Sequence, residues 1–155
     1  MRQSIFLIAL IIGGIFFCPA QQIRLVPVNK VNKLNDGWHK LSSQGALLDV
    51  EIRDGVLVKG NVTWFDGAKY SGTFYGNKIG GKGTFTWING EYYEGNFKNN
   101  QRHGKGSMHY KDGTKYSGKW KNNQKNGKGK LYDDTGKIIK QGLWKQNVFI
   151  DQKDK

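Results

Sequence analysis

The chain is poor in the residue types that most directly announce chemistry. It has one cysteine among 155 residues, two prolines and three histidines, and its 12 acidic residues face 25 Lys and Arg, for a formal charge of +13. The cysteine, Cys18, lies at the end of an apolar N-terminal run, so the rest of the chain has no disulfide framework and no thiolate metal site. The acids do not form the dense carboxylate loop that calcium needs, and Asp133-Asp134 before Thr135-Gly136 reads as a turn. His39, His103 and His109 lack a spacing that makes a zinc site; His103 is expected in a turn and His109 on a polar strand face. None stands beside a nucleophile and an orienting acid, so hydrolase chemistry has no support. The apolar run from Ile5 to Phe17 is shorter than the roughly 20 residues of a comfortable membrane span. A 3.6-residue apolar period is absent from the body of the chain, which disfavours helix.

Glycine and aromatics dominate instead, with 22 Gly, 7 Tyr, 8 Phe and 5 Trp. They are arranged in a 23-residue unit written three times, at 70–92, 93–115 and 116–138. Each copy opens Tyr-x-Gly-x-aromatic: Tyr70, Gly72 and Phe74; Tyr93, Gly95 and Phe97; Tyr116, Gly118 and Trp120. Each carries Gly-Lys-Gly at one offset: Gly81-Lys82-Gly83, Gly104-Lys105-Gly106 and Gly127-Lys128-Gly129. Each then reaches a glycine turn at Asn89-Gly90, Asp112-Gly113 or Thr135-Gly136. A fixed period in this range signals a repeat architecture.

The alternation within a copy is two-fold, so each copy reads as two short strands. Tyr70, Gly72 and Phe74 share one side and Ser71, Thr73 and Tyr75 the other. Gly81, Gly83, Phe85 and Trp87 continue the ring side. A polar turn of five or six residues, such as Asn99 to His103, is expected inside each copy, with a two-residue Asn-Gly or Asp-Gly hairpin turn between copies. Glycine weakens a strand, so its recurrence among rings implies hollows that Tyr, Phe or Trp fill. A single copy cannot bury its rings, whereas stacked copies can. The expected fold class is all-β: an elongated, single-layer antiparallel sheet of tandem β-hairpins with a ring face and a polar face.

These motifs resemble the MORN (membrane occupation and recognition nexus) repeat. The resemblance covers Tyr70 to Ile138 and includes the Tyr-x-Gly-x-Phe/Trp opening, the Gly-Lys-Gly and the period together. It implies a non-catalytic module that associates with membrane surfaces, often through acidic phospholipids, or that scaffolds proteins. No cofactor is implied.

The flanks divide around this block. Residues 1–20 read as a signal peptide, with Arg2 as the positive start and Cys18-Pro19-Ala20 as the cleavage site. An uncleaved membrane anchor is the other reading. A lipidated Cys18 is disfavoured by Phe16 and Phe17, where small residues are usual. Residues 21–46 read as partly irregular, with Trp38 packing on the sheet end. Residues 47–69 read as a degenerate capping hairpin that covers the first edge, since an open edge invites pairing. The repeat domain extends over 70–150, with a broken fourth copy at Gln141-Gly142-Leu143-Trp144 that is shifted by one residue. Residues 151–155 read as a frayed tail. The protein is thus expected to be secreted, periplasmic or at the cell envelope.

Alternation places Lys82, Lys98, Lys105, Lys119, Lys121, Lys128 and Lys130 opposite the rings, as a flat basic stripe. One reading is a solvated face that keeps an open sheet from aggregating; the other is a site for an anionic partner. Candidate partners are an anionic phospholipid surface, a protein, a second copy paired through the sheet edge at Leu143 and Trp144, or an acidic envelope glycan. Nucleic acid is not expected in vivo, given the export signal. Tyr75 and Tyr132 are the aromatics on the lysine side. Gly76 to Lys82 imitates a P-loop, but Gly83 replaces the magnesium-binding Ser or Thr and a strand follows, so no nucleotide site is expected.

Overall fold

The computed structural model describes residues 31–43 and 45–150. The expected signal peptide, its cleavage site and the tail at 151–155 lie outside the described residues. Among the described residues, eleven strands form one antiparallel sheet in strict sequence order. They are β1 (Gly37–Ser43), β2 (Ala46–Arg53), β3 (Val56–Trp64), β4 (Lys69–Tyr75), β5 (Lys78–Thr86), β6 (Tyr92–Lys98), β7 (Gln101–His109), β8 (Lys115–Lys121), β9 (Gln124–Tyr132), β10 (Ile138–Lys145) and β11 (Val148–Ile150).

Tyrosine and glycine set the repeat. Glycines stand directly opposite one another on neighbouring strands: Gly72 and Gly83, Gly95 and Gly106, Gly118 and Gly129. The phenol of the opening tyrosine lies flat over each pair. A Cβ on Gly72 would come to 2.5 Å of the Tyr70 hydroxyl, and one on Gly118 to 2.6 Å of the Tyr116 hydroxyl. Each hydroxyl donates to the carbonyl three residues on: Tyr70 to Thr73 (2.7 Å), Tyr93 to Asn96 (2.9 Å) and Tyr116 to Lys119 (3.1 Å). The socket expectation therefore holds for these six glycines. It fails for the first glycine of each Gly-Lys-Gly. Gly81, Gly104 and Gly127 have φ of 72°, 71° and 104° at a bulge, and a side chain there would turn towards Thr73, Asn96 and Lys119 on the other face. Their role is backbone freedom.

The rings join into one edge-to-face series: Phe74, Tyr70, Phe97, Tyr93, Trp120, Tyr116, Trp144 and Phe149, with successive centroids 5.0 to 5.6 Å apart. This is the favoured aromatic geometry. Tyr70, Tyr93 and Tyr116 are fully buried. Each repeat binds the next through these contacts, so the core is a spine rather than a globule. At its N-terminal end the spine passes into an aliphatic cluster that includes Leu48, Val50, Ile52, Leu57 and Val62.

The turns are the reverse of the expectation. The tight two-residue turns lie inside the copies, at Asn99-Asn100 and Asn122-Asn123, where every φ is positive, between 49° and 67°. Lys98 pairs with Gln101, so Arg102 and His103 belong to β7 and not to a turn. The links between copies are three-residue loops: Trp87 N–H donates to Glu91 O, Gly90 N–H returns to Trp87 O, and Gly90 has φ of 85°. That is a type I turn closed by a left-handed glycine. Asparagine takes the tight turn because its short polar side chain tolerates the left-handed region.

Those asparagines also bridge repeats. Ile79, Arg102 and Lys125 pair with Phe74, Phe97 and Trp120 inside their own hairpins but have no register partner on the following strand. Asn100 N–H donates to Ile79 O (2.9 Å) and its Oδ1 accepts from Ile79 N–H (2.7 Å). Asn123 grips Arg102 the same way, at 3.1 and 2.9 Å, and Asn147 grips Lys125 at 3.1 and 2.8 Å.

Both ends of the sheet need correction. β2 and β3 form a hairpin over the segment expected to cover the first edge, but β1, built from a segment read as partly irregular, pairs on its outer side. Trp38 is 56% exposed and does not pack on the sheet end. At the other end β10 is paired on both sides, with β9 and β11, so among the described residues β11 forms the open edge. Trp144 is buried in the ring spine and donates its indole N–H to Gly129 O. The one-residue shift of the fourth copy is absorbed by a bulge between Ile138 and Lys140, which returns Trp144 to the ring face.

A candidate anion-binding trough

The face opposite the rings is concave. Bulky rings crowd one side of the sheet, while Thr84, Asn96, Ser107 and Ser117 on the other are small, and each copy carries a bulge. The result is a trough of about 1490 Å³ spanning β5 to β11, rather than the flat stripe expected.

All seven expected lysines are exposed. Lys82, Lys105, Lys119, Lys128 and Lys130 line the trough. Lys98 and Lys121 do not: they stand beside the Asn-Asn turns, paired with Gln101 and Gln124. Of the expected edge residues, Leu143 lines the C-terminal end of the trough opposite Lys128 and Ile150, and Trp144 faces away. Tyr132 also lines it, while Tyr75 lies over Gly80 and Gly81 outside it.

Register orders these side chains into two rows across the strands. Lys82 pairs with Asn96, Lys105 with Lys119, and Lys128 with Leu143, giving a basic row. Beside it runs a hydroxyl and amide row, in which Thr84 pairs with Glu94, Glu94 with Ser107, Ser107 with Ser117, Ser117 with Lys130, and Lys130 with Gln141. Ser107 and Ser117 share a 3.0 Å hydrogen bond. Lys105 and Lys119 are like charges directly opposite, a destabilising pair whose Cβ atoms stand about 5 Å apart. Among the described residues none of the trough lysines is in an ion pair; the ion pairs are Glu51 with Arg53 and Lys59, and Glu94 with His109. Glu94 is the one carboxylate of the lining. His109 stacks on Tyr92 at 4.1 Å while holding Glu94 at 3.3 Å.

Two further cations were not anticipated. Arg102 and Lys125 follow Ile79 at the repeat spacing and sit on the ring face. The Arg102 guanidinium is 4.4 Å from the Trp120 ring, and the Lys125 ammonium is 5.0 Å from both Tyr116 and Trp144. Burial, followed by the nearby Arg102 and Lys140 charges, holds Lys125 below the usual lysine range. The 23-residue recurrence marks the position, but the strand pattern gives no side for it because the bulge interrupts alternation. Asn100 and Asn123 carried a readable signal in their common offset.

Tandem hairpins that share one ring spine and one polar face define a β-repeat module. Its repeats are MORN repeats: the model of that family matches residues 70–92, 93–115 and 116–138. Repeats of this kind generally serve as binding or scaffold modules, often at membranes. No curated protein matches the chain.

Proposed function

We propose that the protein is an exported, non-catalytic binding module that holds an anionic partner in the lysine trough, an acidic membrane surface being one source of such anions. The observation that carries this reading is the opposed pair Lys105 and Lys119, flanked by Lys82 and Lys128, on a concave face whose lining has a single carboxylate. A solvated face needs lysine, but not like charges placed across from one another. An anion between them relieves the repulsion.

Sedimentation with phosphatidylserine/phosphatidylcholine vesicles and retention on a polyanionic resin test this reading together. The wild-type protein should bind at least one of them, with affinity falling steeply as salt rises. The Lys105→Gln/Lys119→Gln/Lys128→Gln variant should lose that binding. Failure on both supports, or binding untouched by the triple change, would rule it out. A second reading, self-pairing through the sheet edge, moves from Leu143 and Trp144 to β11, where Val148 is 62% and Ile150 42% exposed. A concentration-dependent dimer by light scattering, abolished by Val148→Lys, would support it.

A further inference from the structure

Resting on the reading that the trough holds anions, we infer that its occupant is a linear acidic polysaccharide lying across the strands, with one anionic group for every second sugar. The first argument is the period. Lys82, Lys105 and Lys128 stand at the same place in successive copies, two strands apart, so these three charges repeat every ~9.6 Å given a strand spacing of about 4.8 Å, with Lys119 an additional charge on the strand between the last two. A pyranose in an extended chain spans close to one strand spacing, and a disaccharide therefore advances by one repeat.

The second argument is the neighbouring row. Thr84, Ser107, Ser117 and Gln141 run parallel to the lysines within the same trough. Hydroxyls and amides both donate and accept, as the many hydroxyls of a sugar chain require. Glu94 and Lys130 share this row with them, and a planar bilayer meets the rims of the trough before its floor.

The third argument is access. The trough floor between the rows is glycine backbone, at Gly83, Gly95, Gly106, Gly118 and Gly129, whose missing side chains would in any case turn to the ring side. A thin chain can lie along it. Single-stranded nucleic acid would instead call for a succession of rings on which bases stack, whereas the rings of the lining, Tyr132 and Phe149, both sit at its C-terminal end.

The test uses hyaluronan tetra-, hexa- and octasaccharides as probes, since they carry a uronate on every second sugar, with dextran as the neutral control. Titration calorimetry of the protein should show affinity rising from tetra- to hexasaccharide, when three uronates meet three lysines, and levelling at the octasaccharide; dextran should not bind. Lys82→Gln/Lys105→Gln/Lys128→Gln should weaken the hexasaccharide by roughly tenfold or more. The charge-matched Lys98→Gln/Lys121→Gln/Lys145→Gln, outside the trough, should leave it within about twofold. Ser117→Ile, which fills the floor and removes no charge, should also abolish chain binding. Phosphatidylserine vesicles that bind in a trough-lysine-dependent way while the oligosaccharides do not would overturn the polysaccharide and keep the anion site. Loss of both ligands' binding would overturn both. Equal losses in the two triple variants, or no length dependence, would also overturn the inference.

Discussion

Asn100 holds both backbone groups of Ile79, taking its N–H at 2.7 Å and giving its own N–H to the carbonyl at 2.9 Å. The turn of one repeat thereby completes the strand of the one before. Asn100→Gly keeps the left-handed turn and removes the side-chain acceptor, leaving the buried Ile79 N–H without it. A loss of about 1–3 kcal/mol is expected. Asn100→Ala should cost about 1 kcal/mol more, because alanine resists the turn's φ of 65°. Urea denaturation with an unchanged m-value is the measurement, and equal stability of wild type and Asn100→Gly would refute the clamp.

Tyr93 and Gly106 test the socket. Gly106→Ala places a methyl group against the Tyr93 hydroxyl and should destabilise by about 1–3 kcal/mol. Tyr93→Phe loses the hydroxyl's bond to Asn96 O, worth about 1 kcal/mol. The double variant should be slightly less destabilised than the sum of the two, since the hydroxyl is the nearest of three ring atoms the methyl would strike, while Cζ and Cε2 still oppose it. A double-mutant cycle measures this coupling, and strict additivity would contradict the arrangement.

The sheet, its ring face and the role of the second glycine could be read from two-fold alternation and the repeat, because these follow from side-chain size at fixed strand positions. Elements that depend on backbone departure could not. Gly81, Gly104 and Gly127 looked like three more sockets because alternation counts residues and a bulge does not respect the count. The same bulge hid the ring-side placement of Arg102 and Lys125. Asn99-Asn100 was read as part of a longer turn because the neighbouring Gln101, Arg102 and His103 are polar, although they are strand residues. The lysine side was legible for all seven residues. That five of them meet in a trough depends on sheet curvature, which no single strand encodes.

The buried tyrosines predict an alkaline limit to stability. Burial pushes Tyr116 and Tyr110 up to about 12, from an ordinary value of 10.0, and pushes Tyr70 and Tyr93 up as well. The folded protein therefore keeps protons that the unfolded chain releases. Stability from this source is whole below pH 10 and declines as pH rises through 12. Urea midpoints should fall across that window, with phenolate absorbance appearing together with unfolding. In Tyr93→Phe the fall should be shallower. Ionisation of Tyr70, Tyr93 and Tyr116 near pH 10 without loss of structure would show that they are not held in the spine.

Ile139 provides the most direct test of how the fourth copy is built. It is the extra residue in the bulge between Ile138 and Lys140, it is 50% exposed, and it accounts for Trp144 following Trp120 by one residue more than the repeat length. Deleting one residue from a regular strand moves every later side chain to the opposite face. Deleting Ile139 should instead straighten the bulge and leave Trp144 beside Tyr116, because the pairing of Lys140 with Leu131 and of Trp144 with Gly127 already follows the regular register. Stability should change by no more than about 1 kcal/mol, as for a surface change. Deleting Lys130, which lies in an unbulged stretch of β9, should cost several times as much, since Lys128 and Gly129 would exchange faces relative to Leu131. Tryptophan fluorescence distinguishes the outcomes. A blue-shifted, quencher-resistant Trp144 in the Ile139 deletion supports the bulge account, and a solvent-exposed one rejects it.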